Sequence, residues 1–125
     1  MGYTHYWDNP GFTNDEWSEA QKYAKRIVGA TYVPIQFEDD IAAAPQIDND
    51  VIRFNGVGGA AHETFFIEKH PNRGFGFCKT AYKPYDEVVV AMLIMLSRVN
   101  PRFTWSSDGD DSDHVEGMKL FQRAA

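Results

Sequence analysis

Residues 74–101 read GFGFCKTAYKPYDEVVVAMLIMLSRVNP, and this stretch decides the fold. It contains an apolar segment typical of a buried strand, a polar turn with two lysines, and the most apolar segment of the chain. Residues 88–96 are all apolar, as expected for a helix buried on every side. A membrane span needs about 20 such residues, so this segment is too short. We predict a strand over 75–80 and a core helix with Pro84 in its first turn, ending before Pro101.

The other elements are predicted from periodicity and turn residues. Thr13 and Glu16 have the spacing of a capping box, which indicates a helix over 13–28 that Gly29 ends. Asp113 and Glu116 are the predicted cap pair of a last helix. Strands are predicted over 3–7, 32–37, 51–54, 63–69, 75–80 and 102–106.

The predicted order of elements is β-α-β-β-β-β-α-β-α. Consecutive strands without intervening helices favour an α+β fold, with one single-layer, mostly antiparallel sheet and two or three packed helices. A chain of 125 residues with 43% hydrophobic residues forms one globular domain over 1–125.

Composition also restricts the function. The net charge of −6 at pH 7 argues against general binding to nucleic acid or anionic membranes, since both need a basic surface. Cys78 is the only cysteine, so no internal disulfide can form, which indicates a reducing compartment such as the cytoplasm. The opening MGYTHYWDNP lacks the basic and apolar regions of a signal peptide.

The polar turn before the core helix is the best candidate site. Its lysines and tyrosines lie beside a helix N-terminus, which attracts anions. The predicted strand 51–54 and the glycine-rich turn that follows it come earlier in the chain and supply the other candidate residues. The alternative is that the lysines are solvated and the tyrosines pack in the core. The predicted ligand-binding residues, for a small anionic, nucleotide-like ligand, are Arg53, Asn55, Lys79, Thr80, Lys83 and Tyr85.

Catalytic candidates are His5, His62, Asp108 and Asp110, which a small hydrolase or phosphoesterase could use as acid–base pairs. No nucleophile elbow or zinc motif supports them. The acidic turn 106–113 lacks the glycine and glutamate positions of a calcium loop. We therefore predict no metal and no cofactor, and we favour binding over catalysis. The acidic residues could instead dock on a basic protein surface.

Four segments carry a resemblance: MGYTHYW at the start, IRFNGVGG followed by HETF, FCKTAYKPYD, and WSSDGD. They resemble an uncharacterised group of small proteins found in phages, prophages and bacteria, and the resemblance covers most of the chain. It implies an intracellular accessory protein, located in the host cytoplasm if a phage encodes it. It implies no catalytic residue.

The leading hypothesis is a non-enzymatic binding domain that engages a host protein or a small anionic ligand. The alternatives are a small hydrolase or phosphoesterase, and a structural subunit that assembles as a homo-oligomer. An enzyme needs a histidine within hydrogen-bond reach of a carboxylate or metal in a concave pocket. An assembly subunit needs an exposed apolar patch.

Overall fold

The computed structural model describes residues 3–38 and 41–125. In this part of the chain the helices are α1 (Asn14–Ala30), α2 (Asp86–Val99) and α3 (Val115–Ala124). The strands are β1 (Thr4–Asp8), β2 (Ile35–Gln36), β3 (Gln46–Ile47), β4 (Val51–Gly56), β5 (Phe65–Glu68), β6 (Phe75–Lys79) and β7 (Thr104–Ser107). The α+β class and the order of the predicted elements are confirmed, and the two-residue β3 is an addition.

Strand pairing is antiparallel throughout the described residues, and the strands form two sheets where the sequence predicts one. The first sheet has the order β6-β1-β7, with β1 in the centre. In the second sheet, β4 pairs with β2, β3 and β5, and β4 and β5 form an antiparallel hairpin. The sequence does not predict the division into two sheets, because the alternation of apolar and polar residues specifies which side chains share a face. It does not specify which strand is the pairing partner.

The core is organised around α2, as its all-apolar pattern predicts. Residues 88–93 have no accessible surface, because α1 and α3 both pack on this helix. Tyr85 is its N-cap, so Pro84 precedes the cap instead of lying in the first turn, and the helix ends before Pro101 as predicted. No helix in residues 3–38 and 41–125 combines the length and apolarity that crossing a membrane requires.

Strand β6 is buried on one face only, which corrects the prediction of a buried strand. Gly76 and Cys78 face the interior, whereas Phe75 and Phe77 are 64% and 56% exposed. Burial raises the pKa of the Cys78 thiol to about 12, so the thiol stays protonated. Cys78 is therefore a small buried side chain with a protonated thiol, which is a poor nucleophile.

Helix ends follow local chemistry, with two corrections. The capping box of α1 is confirmed, but Gly29 does not end the helix, because its φ is not positive and the helix continues to Ala30. The predicted Asp113–Glu116 cap pair is wrong. Asp113 instead forms a capping box with Asp110 on a single turn of 3-10 helix, Asp111–His114, which directly precedes α3.

Replacing Thr13 by alanine is expected to lower the free energy of unfolding by about 1 kcal/mol. The Thr13 hydroxyl accepts a hydrogen bond from the Glu16 N–H at 3.2 Å, and alanine leaves that N–H without its acceptor. Urea unfolding followed by far-UV circular dichroism measures the difference. Ser18→Ala, at an exposed position of the same helix, is the control and is expected to change stability by less than about 0.5 kcal/mol. Equal losses in both variants would contradict the capping role.

Candidate functional site

A buried polar cluster lies where β1, the turn after β6 and the start of α2 meet. We call it the His5 cluster, and it consists of Tyr3, His5, Thr80, Asp86 and His114. Alternation along β1 directs His5 into the interior, where it has no accessible surface. Its Nε2 lies 2.6 Å from Asp86 Oδ1, and the Thr80 hydroxyl donates to the same oxygen at 2.5 Å. One carboxylate oxygen therefore joins a strand, a turn and a helix.

Asp86 is held in this position by the first turn of α2. A carboxylate there complements the positive end of the helix dipole. The Asp86 N–H donates to the Lys83 carbonyl at 2.9 Å, which fixes the turn relative to the helix. The His5 partner is 81 residues away in sequence, so no motif indicates it.

The turn that leads into α2 has a strained backbone and covers part of the cluster. Ala81 and Tyr82 have φ values of 53° and 58°, in the left-handed region that residues other than glycine rarely adopt. The Tyr82 ring is 63% exposed and stacks on Tyr3, with 3.7 Å between ring centroids and 19° between planes. Because Tyr3 is itself buried, the strained turn places one aromatic ring over the cluster.

Three rings of the cluster carry a buried polar atom without a hydrogen-bond partner in the described part of the chain. These atoms are the Tyr3 hydroxyl, His5 Nδ1 and His114 Nε2. The ring centroids lie 5.0 Å apart for Tyr3 and His5, and 5.8 Å apart for His5 and His114. Buried polar atoms seldom lack a partner, so three neighbouring cases mark this region as unusual.

Burial is the largest cause of the pKa shifts of Tyr3 and His114. It raises the pKa of Tyr3 to about 12. Burial, followed by the proximity of His5, holds the pKa of His114 below its ordinary value. At neutral pH we therefore expect Tyr3 to be protonated and His114 to be neutral.

Stability is expected to rise with pH near pH 6, because of His114. An unfolded histidine has a pKa of about 6.5, whereas the folded His114 has a lower one. At pH values between these two pKa values, the unfolded chain binds more protons than the folded chain. The free energy of unfolding therefore increases with pH in this range, and the contribution of His114 is lost on acidification. Urea unfolding at a series of pH values measures the slope. His114→Gln should reduce it, whereas His62→Gln, at an exposed position, should not. Identical slopes in the two variants would assign the effect elsewhere.

The electrostatic potential near Tyr82 is negative. Desolvation, and then the carboxylates of Asp113, Asp86, Asp110 and Asp108, raise the pKa of Tyr82. Asp86 already occupies the helix N-terminus that the sequence analysis assigns to an anion. An anionic ligand at this position would therefore meet repulsion from four carboxylates.

The predicted ligand-binding residues are divided among separate places. Asn55 and Tyr85 have no accessible surface, and both bind the main chain of loop 61–64: Asn55 Nδ2 donates to the His62 carbonyl, and the Tyr85 hydroxyl donates to the Glu63 carbonyl. Lys79 reaches the same loop, since its N–H donates to Glu63 Oε1 at 2.7 Å. Asn55, Lys79 and Tyr85 thus lie close together. However, the polar groups that lie together are used in hydrogen bonds that hold loop 61–64.

The other three predicted residues lie apart from this loop. Thr80 belongs to the His5 cluster. The Arg53 side chain forms an ion pair with Glu38 and lies over the ring of Phe37. Lys83, like Lys79, has no ion pair among the residues that the structure describes. The two lysines are therefore the predicted cations that remain without an anionic partner.

The predicted catalytic residues also separate. His62 is exposed, whereas His5 is buried. Asp108 Oδ2 accepts from the Thr4 N–H at 3.1 Å, and Asp110 caps the 3-10 turn, so both carboxylates bind main chain and not a histidine. Asp86, the partner of His5, is not among the predicted site residues. In residues 3–38 and 41–125, no group of three or more metal-binding side chains could hold a metal ion.

A second feature lies on the outer face of the β6-β1-β7 sheet. Tyr6, Phe75 and Phe77 form a contiguous aromatic face, with centroid distances of 6.4 Å for Tyr6 and Phe75 and 6.3 Å for Phe75 and Phe77. We call these three residues the aromatic face. A depression of about 230 Å³, lined in part by Trp105, adjoins it. The aromatic face thus offers both exposed rings and a concave margin.

The aromatic face adjoins the open edge of its sheet, because within residues 3–38 and 41–125 β6 pairs with β1 alone. The Glu63 N–H donates to the Lys79 carbonyl at 3.2 Å, and the Lys79 N–H binds the Glu63 side chain. Lys79 therefore directs its main-chain groups away from β1. Main-chain groups alternate in direction along an antiparallel strand, so those of Phe75 and Phe77 also point outward from the sheet.

The comparisons with known proteins give no family. A scan against protein-family models finds no match, and searches of curated proteins and of solved structures find none either. The resemblance to small phage, prophage and bacterial proteins stays a prediction.

Proposed function

We propose that this protein is a non-enzymatic binding domain that takes up an extended, apolar segment of a partner protein along β6. The observation that carries the proposal is the coincidence of two exposed phenylalanines, Phe75 and Phe77, with outward-pointing main-chain groups of the same residues. An added strand would satisfy the main-chain groups and cover the rings at once. This makes a host protein the favoured partner among the predicted classes.

The character of β6 supports this assignment. Proteins protect exposed strand edges with charged residues, proline or bulges. The first four residues of β6, Phe-Gly-Phe-Cys, contain none of these protective residues, and the first charge is Lys79 at the strand end. Contiguous apolar patches on a protein surface usually mark an interaction site. The unprotected edge of β6 and the aromatic face therefore both indicate a partner that binds as an extended, apolar strand.

A small anionic ligand is supported less well. Of the six predicted residues, Lys79 and Lys83 are the cations without an ion pair in the described part of the chain, and four carboxylates raise the pKa of the neighbouring Tyr82. An extended peptide needs neither a cationic cleft nor an enclosed cavity, because main-chain hydrogen bonds supply its affinity. We expect the partner segment to place apolar side chains on alternate positions, facing the aromatic face.

Site-specific photo-crosslinking tests the proposal. A photoreactive amino acid replaces Phe77 in one variant, and Tyr32 in a matched control, since Tyr32 is 87% exposed but lies outside the sheet. Both are incubated with host extract, and the cross-linked protein is identified and purified. We expect position 77 alone to capture it, with amide exchange at Phe75 and Phe77 slowed by the purified partner and affinity lowered at least about tenfold by Phe77→Lys. Equal capture at both positions, or unchanged exchange at β6, would overturn the proposal.

The same variants distinguish a homo-oligomer from a heterologous partner. If a second copy of this chain occupies the edge, light scattering will show a dimer that Phe77→Lys dissociates. That result would replace the partner protein with self-assembly, the structural role among the alternatives.

A small hydrolase or phosphoesterase is a second candidate because His5 Nε2 lies 2.6 Å from Asp86 Oδ1. A carboxylate that orients a histidine is the arrangement of a general base. His5 is fully buried, however, so a substrate would have to displace Tyr82. Hydrolysis of chromogenic phosphate and carboxylate esters tests this candidate. Activity lost in Asp86→Asn but retained in Asp111→Asn would favour it, and an inactive wild-type protein would remove it.

A further inference from the structure

An apolar groove of about 480 Å³ lies among the three helices and was not indicated by the sequence analysis. Its floor is built from Ile27 of α1, Met95 and Val99 of α2, and Phe121 of α3. Small-molecule sites usually have volumes of about 300–1,000 Å³ and mostly apolar linings. The groove therefore has the size and surface of a ligand site, and it shares no residue with the aromatic face or the His5 cluster.

Charge is distributed unevenly along the groove. Asp15, Glu16 and Glu19 line it at the start of α1, and Arg98 is the basic residue of the lining. Glu16 is neutralised by Arg102, which lies outside the groove and donates to Glu16 Oε1 at 2.7 Å. Asp15 and Glu19 have no ion pair in the described part of the chain. The acidic end thus keeps two carboxylates without a cation.

The spacing of these carboxylates suits a single positive charge. Asp15 and Glu19 are four residues apart on α1, so they lie on the same face about 6 Å from each other. Like charges at this spacing repel each other, so a cation placed between them would be attracted by both carboxylates. Arg98 forms no ion pair with either carboxylate in the described part of the chain, and its guanidinium lies over the Phe121 ring, 5.1 Å from the centroid.

The apolar end is in line with the acidic end. Ile27 lies two turns beyond Glu19 on the same helix, at an axial distance of about 12 Å. Tyr23, between them, also lines the groove. A ligand that lies along α1 would therefore pass from the carboxylates to the apolar floor.

We propose that this groove binds a small amphipathic cation, with an amine between Asp15 and Glu19 and an apolar body over Tyr23, Val99 and Phe121. The paired carboxylates select the positive head, and the floor removes the tail from water. Ligand binding in this groove is separate from strand addition at β6, so either proposal can fail without the other.

A matched pair of amphiphiles tests the groove. Decylamine and decanoate have tails of equal length and opposite head charge, and both are titrated below their micelle concentrations by calorimetry. Amide chemical shifts locate the binding. Asp15→Asn/Glu19→Gln removes two charges without changing side-chain size, and Asp50→Asn/Asp111→Asn removes two charges from exposed positions outside the groove.

We expect decylamine to bind at least about tenfold more tightly than decanoate, with shifts confined to the facing parts of α1, α2 and α3. The groove variant should lose about tenfold in decylamine affinity, and the outside variant less than about twofold. Equal binding of the two amphiphiles, equal losses in the two variants, or no decylamine binding to the wild-type protein would each overturn the proposal.

Discussion

Trp17→Ala is expected to lower the free energy of unfolding by about 3–5 kcal/mol, a large share of the stability of a small domain. Trp17 is 1% exposed and packs edge-on against Phe12, with 5.2 Å between ring centroids. Its indole N–H donates to the Asp48 carbonyl at 2.9 Å. Alanine would leave a cavity in the core and remove the hydrogen bond between α1 and the loop before β4.

Two further variants separate these causes. Trp17→Phe keeps most of the apolar volume but loses the indole N–H, so its loss should be clearly smaller than that of Trp17→Ala. Tyr32→Ala removes an aromatic ring that is 87% exposed, and its effect should stay within about 1 kcal/mol. Urea unfolding by near-UV and far-UV circular dichroism measures all three. A Trp17→Ala loss no larger than that of Tyr32→Ala would show that α1 does not pack as described.

Gly117→Ala is expected to lower the free energy of unfolding by about 1–3 kcal/mol, although alanine is the better helix former. A Cβ at position 117 would lie 2.4 Å from Val90 Cγ1 and 2.5 Å from Val90 Cβ. It would also lie 3.2 Å from the Glu87 carbonyl oxygen of α2. Val90 is fully buried and branched at Cβ, so it cannot move aside without displacing its helix.

Gly29→Ala is the matched control for this prediction. Gly29 lies in α1, and no atom comes within 4 Å of a Cβ built on it. The same substitution there should therefore increase stability by up to about 1 kcal/mol, the propensity gain alone. Opposite signs for the two substitutions would confirm the close contact of α2 and α3 at Gly117. A stabilised Gly117→Ala protein would refute it.

Much of the fold was predictable because it depends on local interactions. The capping box of Thr13 and Glu16 needs only residues three apart, and both of its hydrogen bonds form. The stripe of Trp17, Ala20 and Ala24 follows helical spacing, and all three are buried. The apolar composition of α2 likewise required burial on all sides, whatever its neighbours are.

Strand faces were harder to predict than helix faces. The β6 sequence FGFCK is apolar at four of five positions, so alternation does not tell which side is buried. Packing decides it: Gly76 lies against the Trp7 indole and leaves no room for a Cβ, which directs Phe75 and Phe77 to the outer face. The aromatic face therefore follows from a contact with β1, not from hydrophobicity.

The candidate sites depend on residues far apart in sequence. Asp86 meets His5 across 81 positions, and the groove requires the three helices together. The predicted cleft assumed that Asn55, Thr80 and Tyr85 were free for a ligand, whereas each of them binds another part of the chain. Hydrogen-bond partners at long range are not encoded in any local spacing.

The sequence by itself thus determined the α+β class, the helices, the burial of α2 and the absence of a disulfide, because each depends on residue type and on neighbours within a few positions. Tertiary structure alone decided the two-sheet arrangement, the open edge of β6, the His5–Asp86 contact and the three-helix groove. The physical reason is that burial is driven by total apolar area, which many arrangements satisfy, whereas the choice among them depends on close packing between distant segments.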